Sequence, residues 1–583
     1  MGHKVLLVYP RMPPTYWSFR YAMPFIGKKA AFPPLGLLTV AAFLPEDFEV
    51  SLVDMNVRRL TDSDLEWADI VFTSSMIVQR DSLDEVIRRC RVYGKPVVAG
   101  GPYPTSACAR IEGVDHFVLN EAEITLPRFL EDYLRGEAKP IYSDTAKPDL
   151  SLTPPPRFDL IRFGDYANMA LQYSRGCPYS CEFCDIIEMF GRVPRTKTPD
   201  RFVSEMDLLY LRGWRGALFV VDDNFIGNRR EVKDLLRLVA AWQRERDYPF
   251  PLFTEATVNL AQDEELMDLM RAAGFNMVFL GIETPVEETL IETHKHQNLR
   301  FDMLDAVRRI QGKGMEVSGG FVLGFDSDPP DIFDRQIRFI RDAGIPTAMV
   351  GLLTALPNTQ LYRRLKAENR LTEDSGGNNT FDFKLNFVPK MDTRELLAGY
   401  KRLLSELYDP ESYFQRCLQL LRNLKTHRTS RRRIKRTELR AFFRSLLVQT
   451  FSSYGWSYWK FLSRAFFMKP QLTTETVTMA VKGHHFFKMT RRVLEVESFE
   501  EKVEKLARAF RERAAGVRVP DFEQGIADLR AYRDRVFRDV RAEYRRLHKD
   551  FRIQAEQSLQ RLTSSMDEII ARLAESAGPS PAI

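Results

Sequence analysis

Three of the chain's six cysteines fall within eight positions, in the run Cys177-Pro-Tyr-Ser-Cys181-Glu-Phe-Cys184. Thiolates are soft ligands for zinc and for iron–sulfur clusters. Four of them would complete a structural zinc site or a fully ligated cluster. This loop has three, with no fourth Cys or His beside it; Cys90, Cys108 and Cys417 are far away in sequence. Three soft ligands on one loop suit a [4Fe–4S] cluster whose remaining iron is open to a substrate. Cysteines that merely pack, or a zinc site completed from another segment, stand as the other readings.

The elements around the loop must position it. It directly follows the apolar run "ANMALQYSRG", the first of six strand candidates between 167 and 357. The others are "GALFVVDDNF", "FTEATVNL", "MVFLGIET", "EVSGGFVLGF" and "TAMVGLLTALP", with helical segments such as "RFVSEMDLLYLRG" between them. Six βα units predict a partial (β/α)6 barrel over 163–380, with chemistry at the strand C-termini. Upstream, "KVLLVYP" (4–10), "FEVSLVDMN" (48–56), "ADIVFTSSM" (68–76), "KPVVAGGPYPTS" (95–106) and "VDHFVLNEAE" (114–123) alternate with helices. They predict a doubly wound, Rossmann-like α/β domain over 1–138, whose ligands would sit beyond the strand C-termini. The Pro- and Ser-rich stretch 139–162 reads as an extended linker.

Composition bounds the rest. At 583 residues several domains are expected. A net charge of +6 implies no global polyelectrolyte. Six scattered Cys make no disulfide framework, and the start "MGHKVLLVYP" carries no apolar core of a secretion signal, so a cytoplasmic chain with reduced thiols is expected. No stretch reaches the ~20 apolar residues that span a bilayer. From Leu421 to Arg492, 17 Lys and Arg face two acidic residues, Glu438 and Glu475. Phe442, Phe443, Trp456, Trp459, Phe466 and Phe467 interleave with that charge. A basic, aromatic and mainly helical domain over 381–495 suits a membrane interface, a nucleic acid, or plain packing. A charged helical tail with heptad-like stretches follows over 496–583.

With the cysteine loop and the barrel pattern in hand, the chain resembles the radical S-adenosylmethionine enzymes, whose signature is Cys-x3-Cys-x-aromatic-Cys. The resemblance implies that Cys177, Cys181 and Cys184 hold a [4Fe–4S] cluster and serve catalysis. It implies that the open iron binds S-adenosylmethionine, whose cleavage gives a 5′-deoxyadenosyl radical. An electron donor such as flavodoxin or ferredoxin is implied with it. By the same resemblance Phe183 stacks near adenine. Asp222, Asp223 and Asn224 orient the methionine part or the substrate, and Glu255 and Glu283 meet ribose hydroxyls or the amino group. Gly320 and Gly324 lie near adenine, with Leu356 and Asn358 on the sixth strand. Each carboxylate could equally be a structural cap.

The N-terminal domain resembles the cobalamin-binding domain of cobalamin-dependent radical enzymes. The resemblance puts the nucleotide tail near Ser74, Ser75, Gly100, Gly101 and Thr105. The Asp-x-His-x-x-Gly loop of some such domains is absent; His3 and His116 have no such context. Domain order, with "AVKGHHFFKMT" (480–490), resembles lipid-modifying members such as the hopanoid C-2 methylases. The expectation is methylation of an unactivated carbon of a hopanoid- or isoprenoid-like lipid, with peripheral contact at the inner membrane face and nucleic acid not a partner. A rearrangement or ring change, including on a tetrapyrrole, is the alternative. A non-enzymatic iron–sulfur protein that binds nucleic acid is the other.

Overall fold

Short runs of Val, Ile and Leu covered on both faces form strands that read as unbroken apolar strings. The computed structural model describes residues 2–372, 377, 383–425, 436–517, 522–548 and 552–576. The chain divides into two units, Met1–His485 and Phe486–Ile583. In the first unit, β1 (Lys4–Tyr9), β2 (Glu49–Asp54), β3 (Ile70–Ser74), β4 (Val97–Gly100), β5 (His116–Val118) and β6 (Ile141–Tyr142) make one parallel sheet in the order β2-β1-β3-β4-β5-β6. Strand order reverses between β1 and β3, where such sheets open a ligand crevice. Leu6 and Val8 enter one apolar core and Val5 and Leu7 the other, as the twofold period of a strand requires.

Two boundaries differ from the sequence reading. The expected linker begins as the edge strand β6, a two-residue element too short to show a period. Its Tyr142 is buried and donates to Asp132 at 2.9 Å. Part of the expected N-terminal domain also belongs with the barrel. Ala30 bridges to Tyr166, and the amide of Asn168 donates to the carbonyl of Ala31.

The second sheet of this unit holds β7 (Asn168–Leu171), β10 (Ala217–Val220), β11 (Leu252–Ala256), β12 (Phe275–Glu283), β13 (Glu316–Leu323) and β14 (Ala348–Leu352). All six are parallel, in the order β14-β13-β12-β11-β10-β7, which is the expected open barrel. A two-stranded ribbon, β8 (Ser174–Arg175) against β9 (Arg195–Thr196), closes the base of the cysteine loop. Along β12, Val278, Leu280 and Ile282 are fully buried, while Met277, Phe279, Gly281 and Glu283 on the other face are half-buried. An open barrel exposes an edge, and here the C-terminal region covers it. Tyr400 donates to the β14 carbonyl of Val350 at 2.9 Å, and Tyr408 donates to that of Ala348.

Beyond the barrel the chain is helical, as expected. The barrel boundary near 380 and the basic cluster Arg431–Arg433 lie outside the described residues. No helix break occurs at 495: Thr473–Ala515 is one helix of 43 residues. In the first unit, the "GHH" of the family-like motif is packing. Nε2–H of His485 donates to the carbonyl of Tyr16 at 2.9 Å, and Nδ1 accepts from the amide of Tyr21. Burial pushes its pKa down to about 4, so the ring is neutral. In the second unit, Phe510 stacks with Tyr532 at 6.3 Å, and Phe522–Tyr544 and Arg552–Ser576 supply the other helices.

Candidate active site

The cysteine loop leaves β7 in a conformation its own sequence specifies. Gly176 has φ of +95°, and a Cβ there would sit 2.9 Å from the carbonyl oxygen of Gly191. Only glycine fits. The loop entrance is held by the two aspartates that follow β10. Asp222 accepts from the amide of Tyr173 (2.7 Å) and from the amide and hydroxyl of Ser174 (2.9 and 2.7 Å). Asp223 accepts from the amide of Gly176 at 3.0 Å. Asp222 thus has both oxygens committed to the loop. Burial still pushes its pKa up to about 7, and that of Asp223 to about 6.

The three cysteines are unbridged, with Cys181 buried and the other two partly so. Burial raises the thiols of Cys177 and Cys184, and the three sulfurs lie within electrostatic reach of one another. Among the described residues no three His, Cys, Asp or Glu are arranged to hold a single metal ion. A four-iron cluster takes each thiolate at a different iron. Amides surround the sulfurs. Nδ2 of Asn224 donates to Cys177 Sγ at 3.7 Å, and Nε2 of Gln297 donates to Cys181 Sγ at 3.4 Å. Their other ends, Asn224 Oδ1 and Gln297 Oε1, are buried without a protein partner, as is Asn298 Oδ1. Buried polar atoms are normally paired. Orphans on the amides that bond Cys177 and Cys181 mark a place fitted for a polar ligand, and the donor set fits a cluster with bound S-adenosylmethionine.

Charge is concentrated at the same edge. Lys295 is buried, pairs with Glu283 at 2.5 Å and lies 5.8 Å from the Phe183 ring. Burial pulls its pKa down, but Glu283 with Cys181 and Cys184 outweighs that and raises it. Gly281 leaves the room: a Cβ there would meet Glu283 Oε1 at 2.7 Å and Lys295 Nζ at 2.9 Å. Glu283 itself holds φ of +64° and Asn358 +68°, left-handed backbone that non-glycine residues adopt at a cost. Glu255 on β11 is half-buried and makes no side-chain hydrogen bond or ion pair among the described residues. Burial, then the neighbouring Asp223 and Asp222, pushes its pKa to about 7.

Other expected residues take these places. Phe183 packs with Phe325 at 5.7 Å, against a cluster that includes Leu353 and Phe387. Gly320 faces Phe279, with 3.0 Å left for a Cβ. Gly324 (φ +101°) is a turn whose amide donates to Asp328. Leu356 and Asn358 form the turn after β14, where Thr359 caps the next helix. The sequence reading missed Lys295, Gln297 and Asn298. Their run "THKHQN" has no metal-ligand spacing, and only the β12 crossover brings it under the cysteine loop. It also missed Glu182, whose carboxylate is clamped by Arg364 at 2.5 and 3.1 Å.

At the C-terminal edge of the N-terminal sheet the five residues expected from sequence carry no charge, although buried Asp54 ends β2 and buried Glu121 follows β5. Ser75 is buried with an orphan hydroxyl. Gly101 has φ of +91°, and a Cβ there would lie 2.4 Å from Ser74 Oγ. A Cβ on Gly100 would meet the carbonyl of Val118 at 2.8 Å. Thr105 accepts from the amide of Asn120 at 3.0 Å. An orphan hydroxyl and bare backbone at strand ends fit the tail of a large, largely uncharged cofactor. The two edges are tied together: Arg175 and Arg195 of the ribbon both bond Glu121, just after β5, at 2.9 and 2.8 Å.

Comparison with known proteins matches three domain models to the chain. Residues 29–130 match a B12 binding domain, 171–340 the radical SAM superfamily, and 359–498 a domain of unknown function. An uncharacterized methyltransferase of Synechocystis sp. is 47% identical over 71% of this chain and 77% of its own. The hopanoid C-2 methylase of Rhodopseudomonas palustris is 36% identical over 71% and 79%. The structure of the radical methyltransferase TsrM from Kitasatospora setae, with cobalamin and a [4Fe–4S] cluster bound, shares the fold at a TM-score of 0.56 and 18% identity, covering 81% of this chain and all of that one. Cluster loop, barrel and N-terminal sheet define a cobalamin-dependent radical S-adenosylmethionine methyltransferase. Within that class the chain belongs to the family of the hopanoid C-2 methylase.

Proposed function

We propose that the protein methylates an unactivated carbon of a polycyclic or isoprenoid lipid, which it meets at a membrane surface. When bound, the cluster and S-adenosylmethionine supply a carbon-centred radical and cobalamin supplies the methyl group. Cys177, Cys181 and Cys184 hold the cluster in this reading. Asp222 and Asp223 fix the loop that carries them, and Asn224 and Gln297 turn amide N–H groups toward the thiolate sulfurs. Lys295 and Glu283 orient the polar end of S-adenosylmethionine, beside Phe183. Ser74, Ser75, Gly100, Gly101 and Thr105 line the path of the cobalamin tail.

The observation that carries the lipid reading is the inner wall of the barrel. Phe219 on β10 and Phe253 on β11 stack at 4.9 Å, and Phe32 leans on both at 5.4 and 6.2 Å. Trp17 lies 5.0 Å from Phe279 on β12. Register puts Phe219 level with Phe253, and Phe253 level with Met277. A wall of rings with one unpaired carboxylate, Glu255, receives an apolar body far better than a charged one. The wall also excludes the water that would quench a radical. Mass spectrometry of lipids from cells with and without the protein tests this. A methylated lipid present only with the protein is expected. A methylated tetrapyrrole or water-soluble product instead would favour the other readings.

A further inference from the structure

Outside the barrel, two consecutive helices of the first unit, Arg436–Thr450 and Gly455–Met468, leave their largest apolar side chains in solvent. On the first, Leu439, Phe443 and Leu447 recur every fourth residue, and Phe451 continues the row. On the second, Trp456, Trp459, Phe466 and Phe467 share one side. Phe451, Trp456 and Phe467 are 83%, 82% and 84% exposed. The opposite faces are conventional: Ala441, Ser445 and Gln449 are buried on the first helix and Tyr458, Phe461 and Ala465 on the second, the hydroxyls of Ser445 and Tyr458 bond at 2.9 Å, and Phe461 stacks on Phe414 at 4.7 Å. The two helices therefore form a hairpin with a packed inside and an apolar outside. Eight large apolar residues exposed on two consecutive helices and the turn between them exceed the scattered exposure of an ordinary monomer.

The charge around that surface has one sign. Arg436, Arg440, Arg444, Lys460, Arg464 and Lys469 lie on or next to the two helices, against the single acid Glu438. Arg440, Arg444 and Arg464 are exposed. No helix among the described residues is long and apolar enough to cross a membrane. Apolar stripes, two indoles and a basic margin on helices too short to span are what an interfacial element presents to anionic lipid. The hairpin also leads inward. Phe442 and Val448 pack with Ala22, Met23 and Phe25, part of the segment that carries Trp17 and Phe32 to the barrel wall.

We propose that this hairpin is the membrane-docking surface of the protein: Phe443, Phe451, Trp456, Trp459, Phe466 and Phe467 enter the headgroup and upper acyl region of an anionic bilayer, and Arg440, Arg444 and Arg464 meet its phosphates. It rests on the lipid reading above only for the choice of a membrane as partner, and membrane binding is scored apart from methyl transfer.

The test uses the full-length, cofactor-loaded protein sedimented with vesicles of phosphatidylcholine alone or mixed with phosphatidylglycerol. Wild type is expected on the mixed vesicles, with its tryptophan emission quenched by lipids brominated near the headgroup. The triple variant F451S/W456S/F467S is expected to lose at least tenfold in vesicle affinity while keeping its thermal midpoint and its formation of 5′-deoxyadenosine. The variant R440Q/R444Q/R464Q should lose roughly fivefold per charge at low salt, and less at high salt. Wild type left in solution with both vesicle types overturns the proposal, as does triple-variant binding equal to wild type. A wild-type dimer in solution that the triple variant dissolves, with no vesicle binding, also overturns it and assigns the surface to a second copy of the chain. Any of those results leaves the lipid substrate to be judged by its own product analysis.

Discussion

The first unit contains two parallel sheets, and their C-terminal edges are equipped in opposite ways. The barrel edge is dense in charge: Asp222, Asp223, Glu255 and Glu283 stand with Lys295 near the cysteine loop. The N-terminal edge offers hydroxyls and bare glycine backbone, with no ionisable side chain among Ser74, Ser75, Gly100, Gly101 and Thr105. The charged groups at the N-terminal edge, Asp54 and Glu121, are buried and bonded to other side chains. Arg175 and Arg195 both bond Glu121 and so tie the two edges to each other.

The contrast can be broken at either edge. The largest effect belongs to the thiols. Cys177→Ala, Cys181→Ala or Cys184→Ala should each abolish 5′-deoxyadenosine formation and the S-adenosylmethionine-sensitive paramagnetic signal of the reduced protein. Cys90→Ala and Cys108→Ala should leave both in place; retained activity in any of the first three sinks the assignment. At the other edge, Gly101→Trp should lower cobalamin binding at least tenfold, read by absorbance after gel filtration, with the cluster content unchanged. Here the indole would have to occupy space already closed by Ser74 at 2.4 Å, on a backbone with positive φ.

Smaller effects sharpen the electrostatic half. Asp222→Ala strands two buried amides and a hydroxyl, each worth about 1–3 kcal/mol when unsatisfied. A clear fall in the thermal midpoint of the cofactor-free protein and poor iron retention are expected, whereas Asp222→Asn should recover part of both. Lys295→Met removes a buried cation within electrostatic reach of Cys181 and Cys184, so the reduction potential of the cluster should fall by an amount on the order of tens of millivolts. An unchanged potential in an electron paramagnetic resonance titration would deny Lys295 that position. The smallest effect is in pH. Asp222, Asp223 and Glu255 have pKa values raised by burial to about 7, 6 and 7. The folded state therefore binds more protons than the unfolded one above the ordinary carboxylate range. Their contribution to stability is complete below about pH 4 and is lost as pH rises through 6 to 7. Thermal scans of the cofactor-free protein should show Glu255→Gln flattening that decline.

Much of this was legible in the chain. The cysteine spacing marked the cluster loop, and apolar strings of the right length and order marked both sheets. The aspartates after β10 were expected to orient the methionine part or the substrate, not to bind the loop's own amides, because that role depends on where Tyr173, Ser174 and Gly176 return in space. Lys295 and Gln297 were invisible because a crossover, not a spacing, sets them beside the sulfurs. The two-residue β6 and the pairing of 29–31 with the barrel were equally hidden: each is stabilised by its partner strand rather than by its own pattern. The basic, aromatic segment was visible as composition. Whether its rings are inside or outside is decided by helix rotation, and five of the six singled out from sequence are exposed while Phe442 is half-buried.

The central claim is that a radical made at the barrel edge places a methyl group on an apolar substrate seated against Phe219, Phe253 and Phe279. The direct measurement is anaerobic turnover of the reconstituted protein with S-adenosylmethionine labelled in its methyl group, a reductant and a total lipid extract. The account predicts label in a polycyclic or isoprenoid lipid, with 5′-deoxyadenosine and S-adenosylhomocysteine formed alongside it. Label confined to a tetrapyrrole or other polar product, or 5′-deoxyadenosine without any methylated lipid, would contradict it.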